Sequence, residues 1–279
     1  MQVDDRYMRR KVGLAIGRFR LLEEGDRVLV AISGGKDSLA LLDVLLQLQR
    51  RAPVRFELVP FVLDQGFPGF DLDALRREVE PLGVDLTVES APVAATIARK
   101  RDDLNTVCAL CSRLRRGHLY QAAPRLGCNK IALGHHADDI IETLLLGIFF
   151  NGQLGAMPPV LLSDDGRNTV IRPLCYAWEE EIDAYCRWRG LTPVKTPCPE
   201  ARIADKRRQW AKQLFRDLAA DIPFVKESAL AAVEHLRERF LLDPRFLGSS
   251  ERPSTAAGQV PPSDASLGMP DGISERWRD

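Results

Sequence analysis

The stretch Ser33-Gly34-Gly35-Lys36-Asp37-Ser38 packs two glycines, two hydroxyls, a cation and an acid into one turn. A hydrophobic run, Val28 to Ile32, leads into it, and an apolar helical pattern from about Lys36 to Gln49 follows. The chemistry this arrangement suits is phosphate binding. The glycines let backbone N–H groups approach a ligand, and the helix aims its positive end at the same spot. Ser33 and Ser38 add hydroxyl donors and Lys36 a cation. Asp37 would repel a phosphate on its own, so its presence predicts Mg²⁺ between the two. A capping serine alone would need neither both glycines nor the lysine and the aspartate.

Two further segments carry reactive residues. In GHHADDIIETLLL, residues 134–146, Asp138 and Asp139 stand in the first turn of a predicted helix, where the dipole favours acids. Either of them is expected near the Mg²⁺ or the phosphates. His135 and His136 cannot both face one point, so one of them is expected to be structural. In NTVCALCSRLRRGHLY, residues 105–120, Cys108 and Cys111 have C-x-x-C spacing just before a predicted helix. That spacing suits an Fe–S cluster, a zinc site or a redox pair. A cluster or zinc wants at least a third ligand, and Cys198, between prolines in TPCPEAR, is the best placed. Cys128, Cys175 and Cys186 fall in apolar contexts and read as buried thiols.

Basic residues gather around the pair (Arg99, Lys100, Arg101, Arg113, Arg115, Arg116) and again at Arg202, Lys206, Arg207, Arg208, Lys212 and Arg216, with Trp210 nearby. Such runs are either solvated helix surface or a track for a phosphate backbone. Net charge does not decide, because 39 basic and 39 acidic residues balance over the 279. No window is long and apolar enough for a membrane span, and MQVDDRYMRRK lacks a signal-peptide core. A cytoplasmic protein without a membrane partner is expected, and there close cysteine pairs read as metal or redox chemistry rather than staples.

The elements that must hold these residues alternate. Strands are expected at 28–32, 57–63, 84–90, 130–136 and 170–174. Helices are expected within 1–24 and over 36–49, 72–81, 112–125, 137–150 and 178–189, with 92–107 irregular or partly helical. This order predicts an α/β fold with a doubly wound, mostly parallel sheet. Ser33, Asp64 and His135 then lie at strand ends, where such sheets bind ligands. Residues 1–200 form the expected catalytic domain. Two helices, about 203–220 and 223–240, form a C-terminal extension over 201–247. Residues 248–279 are Pro-, Gly- and Ser-rich and are expected to be disordered.

SGGKDS is not a Walker A loop, which needs four residues between its first Gly and its Gly-Lys. It resembles the PP-loop of the ATP pyrophosphatase superfamily. SGGKDS, CALCSRLRRG, LGHHADDIIETLL, MPP with SDDGR, and VIRPL, in that order, resemble the tRNA 2-thiocytidine synthetase family over roughly residues 10 to 240. The resemblance implies an ATP-dependent tRNA sulfurtransferase. Catalysis would rest on Asp37, Asp138 and Arg115. The nucleotide and Mg²⁺ would sit on Ser33, Gly34, Gly35, Lys36, Asp37, Ser38, Asp64, Gly134, His135 and Asp139. A [4Fe–4S] cluster would be held by Cys108, Cys111 and Cys198, its fourth iron open for sulfide. The C2 oxygen of a cytidine would be adenylated and then replaced by sulfur. Implied partners are tRNA and a sulfur donor such as a cysteine desulfurase system, and a homodimer is allowed. The chain departs from the family pattern at Ala201, where a second cysteine is typical, at Ala137, where arginine is common, and at Glu142, where glutamine is common. Two other functions remain open: another PP-loop adenylating enzyme, or a non-catalytic sensor of ATP or a cluster.

Overall fold

The computed structural model describes residues 3–99, 107–163, 166–194, 206–243 and 245, with the side chains of 107–109 and 239 left aside. The chain divides into two compact units, Met1–Glu234 and His235–Asp279. In the second, the described part is a short 3-10 turn, Glu238–Phe240, and an ion pair between Arg245 and Asp243. The expected disordered tail lies outside the described residues.

The first unit holds α1 (Asp5–Phe19), β1 (Arg27–Ile32), α2 (Lys36–Gln49), β2 (Glu57–Asp64), α3 (Leu72–Val79), β3 (Thr87–Ser90), α4 (Val93–Arg99) and α5 (Val107–Arg125). It continues with β4 (Lys130–Ala132), α6 (Ala137–Asn151), β5 (Val160–Leu162), β6 (Thr169–Ile171), α7 (Glu179–Arg189), α8 (Lys206–Asp221) and α9 (Val225–Glu234). The described strands form one sheet in the order β3-β2-β1-β4-β6-β5. All pairs are parallel except β5 with β6.

Strand periodicity builds two cores. Val28, Val30 and Ile32 of β1, Val62 of β2 and Ala132 of β4 face one layer, with Met8, Val12, Leu41, Leu45, Ile182 and Tyr185 of α1, α2 and α7. Leu29, Phe61, Leu63 and Ile131 face the other, with Ile97 of α4 and Leu119, Ala122 and Ala123 of α5. Alternate residues of one strand thus enter opposite layers, which is why the strands read as unbroken apolar runs. The doubly wound parallel sheet expected from the sequence is observed.

Three details differ from the sequence reading. Helix α5 begins at Val107, so Cys108 and Cys111 lie in its first turns rather than before it. Strand β4 ends at Ala132 and β6 at Ile171, which leaves 133–136 and Arg172 to the loops. Strand β5 was not expected; its three residues are all exposed. The sheet order places β1 and β4 side by side, with the chain departing from them in opposite directions. This switch point opens a crevice beyond their carboxyl ends.

Candidate active site

At the end of β1 the chain turns sharply. Gly34 has φ +86°, a conformation that only glycine takes without strain. The serines brace the turn: Ser33 N–H donates to Ser38 Oγ at 3.2 Å, Gly35 N–H to Ser33 Oγ at 3.3 Å, and Ser38 Oγ–H to the Gly35 carbonyl at 2.8 Å. Helix α2 starts at Lys36 with its first N–H groups facing the crevice. The loop after β4 presses against this start. A Cβ on Gly134 would lie 3.1 Å from the Asp37 carbonyl carbon and 3.1 Å from Ser38 N, so any side chain there would press the start of α2 back by a few tenths of an ångström. The SGGKDS and GHHADD segments, 96 residues apart between Ser38 and Gly134, meet here backbone to backbone.

A cavity of about 520 Å³ opens beyond them. Ser33, Asp37, Ser38, Gly134, His135 and Asp139 line it, together with Ser112, Arg115, Arg116, Tyr120, Arg172 and Arg208. Apolar surface comes from Phe61, Leu63, Phe67, Phe70, Leu133 and Met157 among others. The volume suits a nucleotide-sized ligand, and four arginines against two aspartates leave the walls positive.

Not every expected residue reaches this space. Lys36 turns toward α7 and pairs with Glu179 at 3.1 Å and Asp183 at 2.9 Å. Burial pulls its ammonium down, but those hydrogen bonds outweigh it and hold the group above its ordinary range. Asp64 accepts the Gly66 N–H at 2.9 Å and shapes the turn that presents Gln65 and Phe67 to the cavity. Asp138 does not line the cavity. Its carboxylate accepts the Glu179 N–H at 2.7 Å, at the start of α7, and pairs with Lys226 of α9 at 2.8 Å. Asp139 does line it, accepting from the His136 N–H at 3.1 Å and from Arg208 at 2.8 Å. Cys198 lies outside the described residues, as does the Cys108 side chain.

Asp37 is the acid closest to the phosphate turn, and its Oδ1 is buried without a hydrogen-bond partner. Burial raises its pKa, and the nearby His136 and Lys36 only partly offset that. Such an oxygen fits a cation that arrives with the ligand. Among the described residues no three His, Cys, Asp or Glu side chains form a metal cage, so a divalent ion would need phosphate oxygens as well.

The two histidines separate as expected. His136 is buried at the start of α6, 3.5 Å from Asp139 and 4.0 Å from Asp37. His135 reaches the cavity, and burial drives its pKa down to about 4, with Arg172, Arg208 and Arg115 adding to the effect against Asp139. It is neutral at pH 7. Arg172 Nε donates to its Nδ1 at 3.3 Å, so its proton sits on Nε2. Arg172 is itself buried, bonded to the Pro158 carbonyl at 2.5 Å. The sequence reading missed Arg172 and Gln65. A lone charge inside the apolar VIRPL and a glutamine right after Asp64 were the available signals.

Cys111 is half-buried on α5, its Sγ 3.5 Å from Oε1 of Gln65, a cavity residue. Cys128, Cys175 and Cys186 are buried as expected, and burial pushes the last two up to about 12. A thiol held there does not ionise near neutrality, so it is a poor metal ligand.

Comparison with known proteins agrees with this geometry. Residues 8–198 match the family model described as a PP-loop domain. The chain is 46% identical over 244 residues to a tRNA-cytidine(32) 2-sulfurtransferase of Syntrophotalea carbinolica, covering 86% of this chain and 94% of the relative. A protein of the same name from Pelobacter propionicus is 45% identical over 243 residues, covering 87% and 90%. Among solved structures, the U34-tRNA thiolase NcsA from Methanococcus maripaludis with its [4Fe-4S] cluster superposes with a TM-score of 0.64 at 22% identity, covering 84% of this chain and 80% of that one, which shows a shared fold. The family expected from the order of the motifs is the one matched: the chain belongs to the tRNA-cytidine(32) 2-sulfurtransferase family and carries its PP-loop domain.

Proposed function

We propose that the protein is an ATP-dependent tRNA sulfurtransferase that converts a cytidine of tRNA, at position 32 as in the relatives' name, to 2-thiocytidine. One observation carries this reading. The phosphate turn and the GHHADD loop meet at the switch point, and α5, which bears the cysteine pair, lines the same cavity.

The triphosphate lies on the Ser33–Ser38 turn, with the α-phosphorus toward Asp37 and Asp139. The cytidine C2 oxygen attacks it, the bond to the bridging oxygen of the β-phosphate breaks, and pyrophosphate leaves. Backbone N–H groups of the turn hold the charge that develops, in place before the reaction begins. Mg²⁺ on Asp37 and the phosphates would screen the leaving group. Arg115 and Arg116 neutralise the α-phosphate oxygens. The oxygen at C2 has then become part of AMP, a good leaving group. Sulfide adds at C2, the C2–O bond breaks, and AMP departs. The acidic role expected of Asp138 passes to Asp139; Asp138 anchors α7 and α9 and keeps that wall in place.

A [4Fe–4S] cluster on Cys108, Cys111 and Cys198, when bound, would supply an iron without a protein ligand at which sulfide is held. In the described part of the donor set, Cys111 lies on the arginine-bearing helix with its Sγ 3.5 Å from Gln65, which lines the cavity. The sulfur would come from a donor such as a cysteine desulfurase system, and the protein would work in the cytoplasm.

The test is AMP formation from ATP by the anaerobically reconstituted protein. AMP should appear only when tRNA is added. AMP without tRNA would point to a small-molecule adenylating enzyme, and no turnover to a sensor. Iron counting on the same preparations should give a full cluster in Cys186→Ala and a lost one in Cys111→Ala. A full cluster in Cys111→Ala would remove it from the ligand set.

A further inference from the structure

Helices α6 and α8 pack against each other. Phe215 packs with Ala137 and Ile141 at one end, and Trp210 meets Phe149 and Phe150 at the other. Trp210 stands edge-on to both rings, with centroids 5.5 and 5.4 Å apart and interplanar angles of 82° and 87°. The Arg207 guanidinium lies over the Phe150 ring, 4.8 Å from its centroid. Phe149 is 58% exposed. Fully burying such a ring contributes roughly 1.5–3 kcal/mol, so packing alone leaves this one unexplained.

The charge around the rings narrows the partner. From Lys206 to Arg216, α8 carries Lys206, Arg207, Arg208, Lys212 and Arg216 and no acid before Asp217. Arg208 and Lys212 pair with Asp139 and Glu179, and a second copy presenting the same face across a two-fold axis would set the exposed Lys206, Arg207 and Arg216 against each other. Aromatic faces interleaved with arginines suit unpaired bases with their phosphates, because every base has a π-face and every linkage a negative charge. Arg208, on the same helix, already reaches the cavity wall. From Asp139 to Phe150 is 11 residues of α6, about 16 Å along the axis. A base on these rings is therefore not the reacting one but a neighbour in the same loop.

We propose that Phe149, Phe150, Trp210 and Arg207 form a stacking platform for an unpaired RNA base a few nucleotides from the reacting cytidine. The proposal rests on tRNA being the substrate, as argued above.

The experiment measures binding of the full-length protein to an RNA stem-loop with a cytidine in its unpaired loop, by fluorescence anisotropy over a salt series. Phe149→Leu keeps apolar bulk but loses the π-face, and should weaken binding about tenfold, within the range for one stacked base. Phe149→Trp should bind like the wild type. Arg207→Glu should bind more weakly and with a shallower salt slope. Replacing loop nucleotides singly with abasic sites should reveal one position whose loss weakens the wild type but not Phe149→Leu. Wild-type binding with unchanged Phe149→Leu and Arg207→Glu affinities would overturn the platform and leave the substrate reading standing. No RNA binding by the wild type would overturn both. A change in sedimentation of Phe149→Leu at unchanged RNA affinity would make this a self-association face and overturn the proposal.

Discussion

The two walls of the active-site cavity are built from different materials. The wall at β1 and β4 is backbone: Gly34, Gly35 and Gly134 bring main-chain groups together, and the serine hydroxyls brace them. The rest of the lining is long side chains, with Arg115 and Arg116 from α5, and with Arg172 after β6 and Arg208 from α8 reaching His135 and Asp139. A backbone wall has one geometry, and a carbon added at Gly134 presses directly on the start of α2. A wall of several cations shares its charge, and losing one member should reduce function by degrees.

Substitution should separate the two. Gly134→Ala should cost the most, on the order of 100-fold in turnover, because its Cβ pushes the start of α2 off the phosphates. Steady-state AMP formation, with circular dichroism to confirm folding, checks this; wild-type turnover would show that the two loops need not touch. Asp37→Asn should lose activity on a similar scale yet hold or gain thermal stability, since it removes a half-buried carboxylate whose Oδ1 lacks a hydrogen-bond partner. A fall in melting temperature would mean that Asp37 holds the fold and not the phosphates.

On the arginine wall, Arg115→Ala should lower turnover by about tenfold to 100-fold, less than Gly134→Ala, because Arg116 and Arg172 remain. A loss larger than that of Gly134→Ala would reverse the comparison. The smallest effect on turnover should come from Glu142→Gln, behind that wall. Burial raises the Glu142 carboxyl from 4.5 to about 7, with Lys212 and Arg208 opposing and Asp139 and Asp138 adding to it. A raised acid favours the folded state while protonated. Its contribution is full below pH 4.5 and is lost as pH rises through 7. By linkage the wild type should lose about 3 kcal/mol over that window relative to Glu142→Gln. Parallel denaturation curves at pH 5 and pH 8 would contradict the shift.

The same contrast explains what the sequence revealed. The backbone wall was legible because glycines and serines at fixed spacing have few other uses, and apolar runs marked β1 and β2. Gly134 could be placed near the nucleotide, although its contact with Asp37 depends on sheet order. The side-chain wall was harder. Asp138 and Asp139 are adjacent on one helix, and which of them faces the cavity depends on Glu179 and Lys226, far along the chain. Lys36 looked committed to phosphate until Glu179 and Asp183 of α7 came within reach. Arg208 read equally well as solvated surface. Strand β5 escaped because three exposed apolar residues acquire strand character only by pairing with β6.

Thiolation of a tRNA cytidine in this cavity is read out most directly by nucleoside mass spectrometry. Total tRNA would be digested from cells lacking the gene, and from the same cells carrying the wild-type, Gly134→Ala or Asp37→Asn chain. 2-Thiocytidine should be absent without the gene, restored by the wild type, and not restored by either variant. Unchanged 2-thiocytidine in cells lacking the gene, with a different thiolated nucleoside missing, would contradict it.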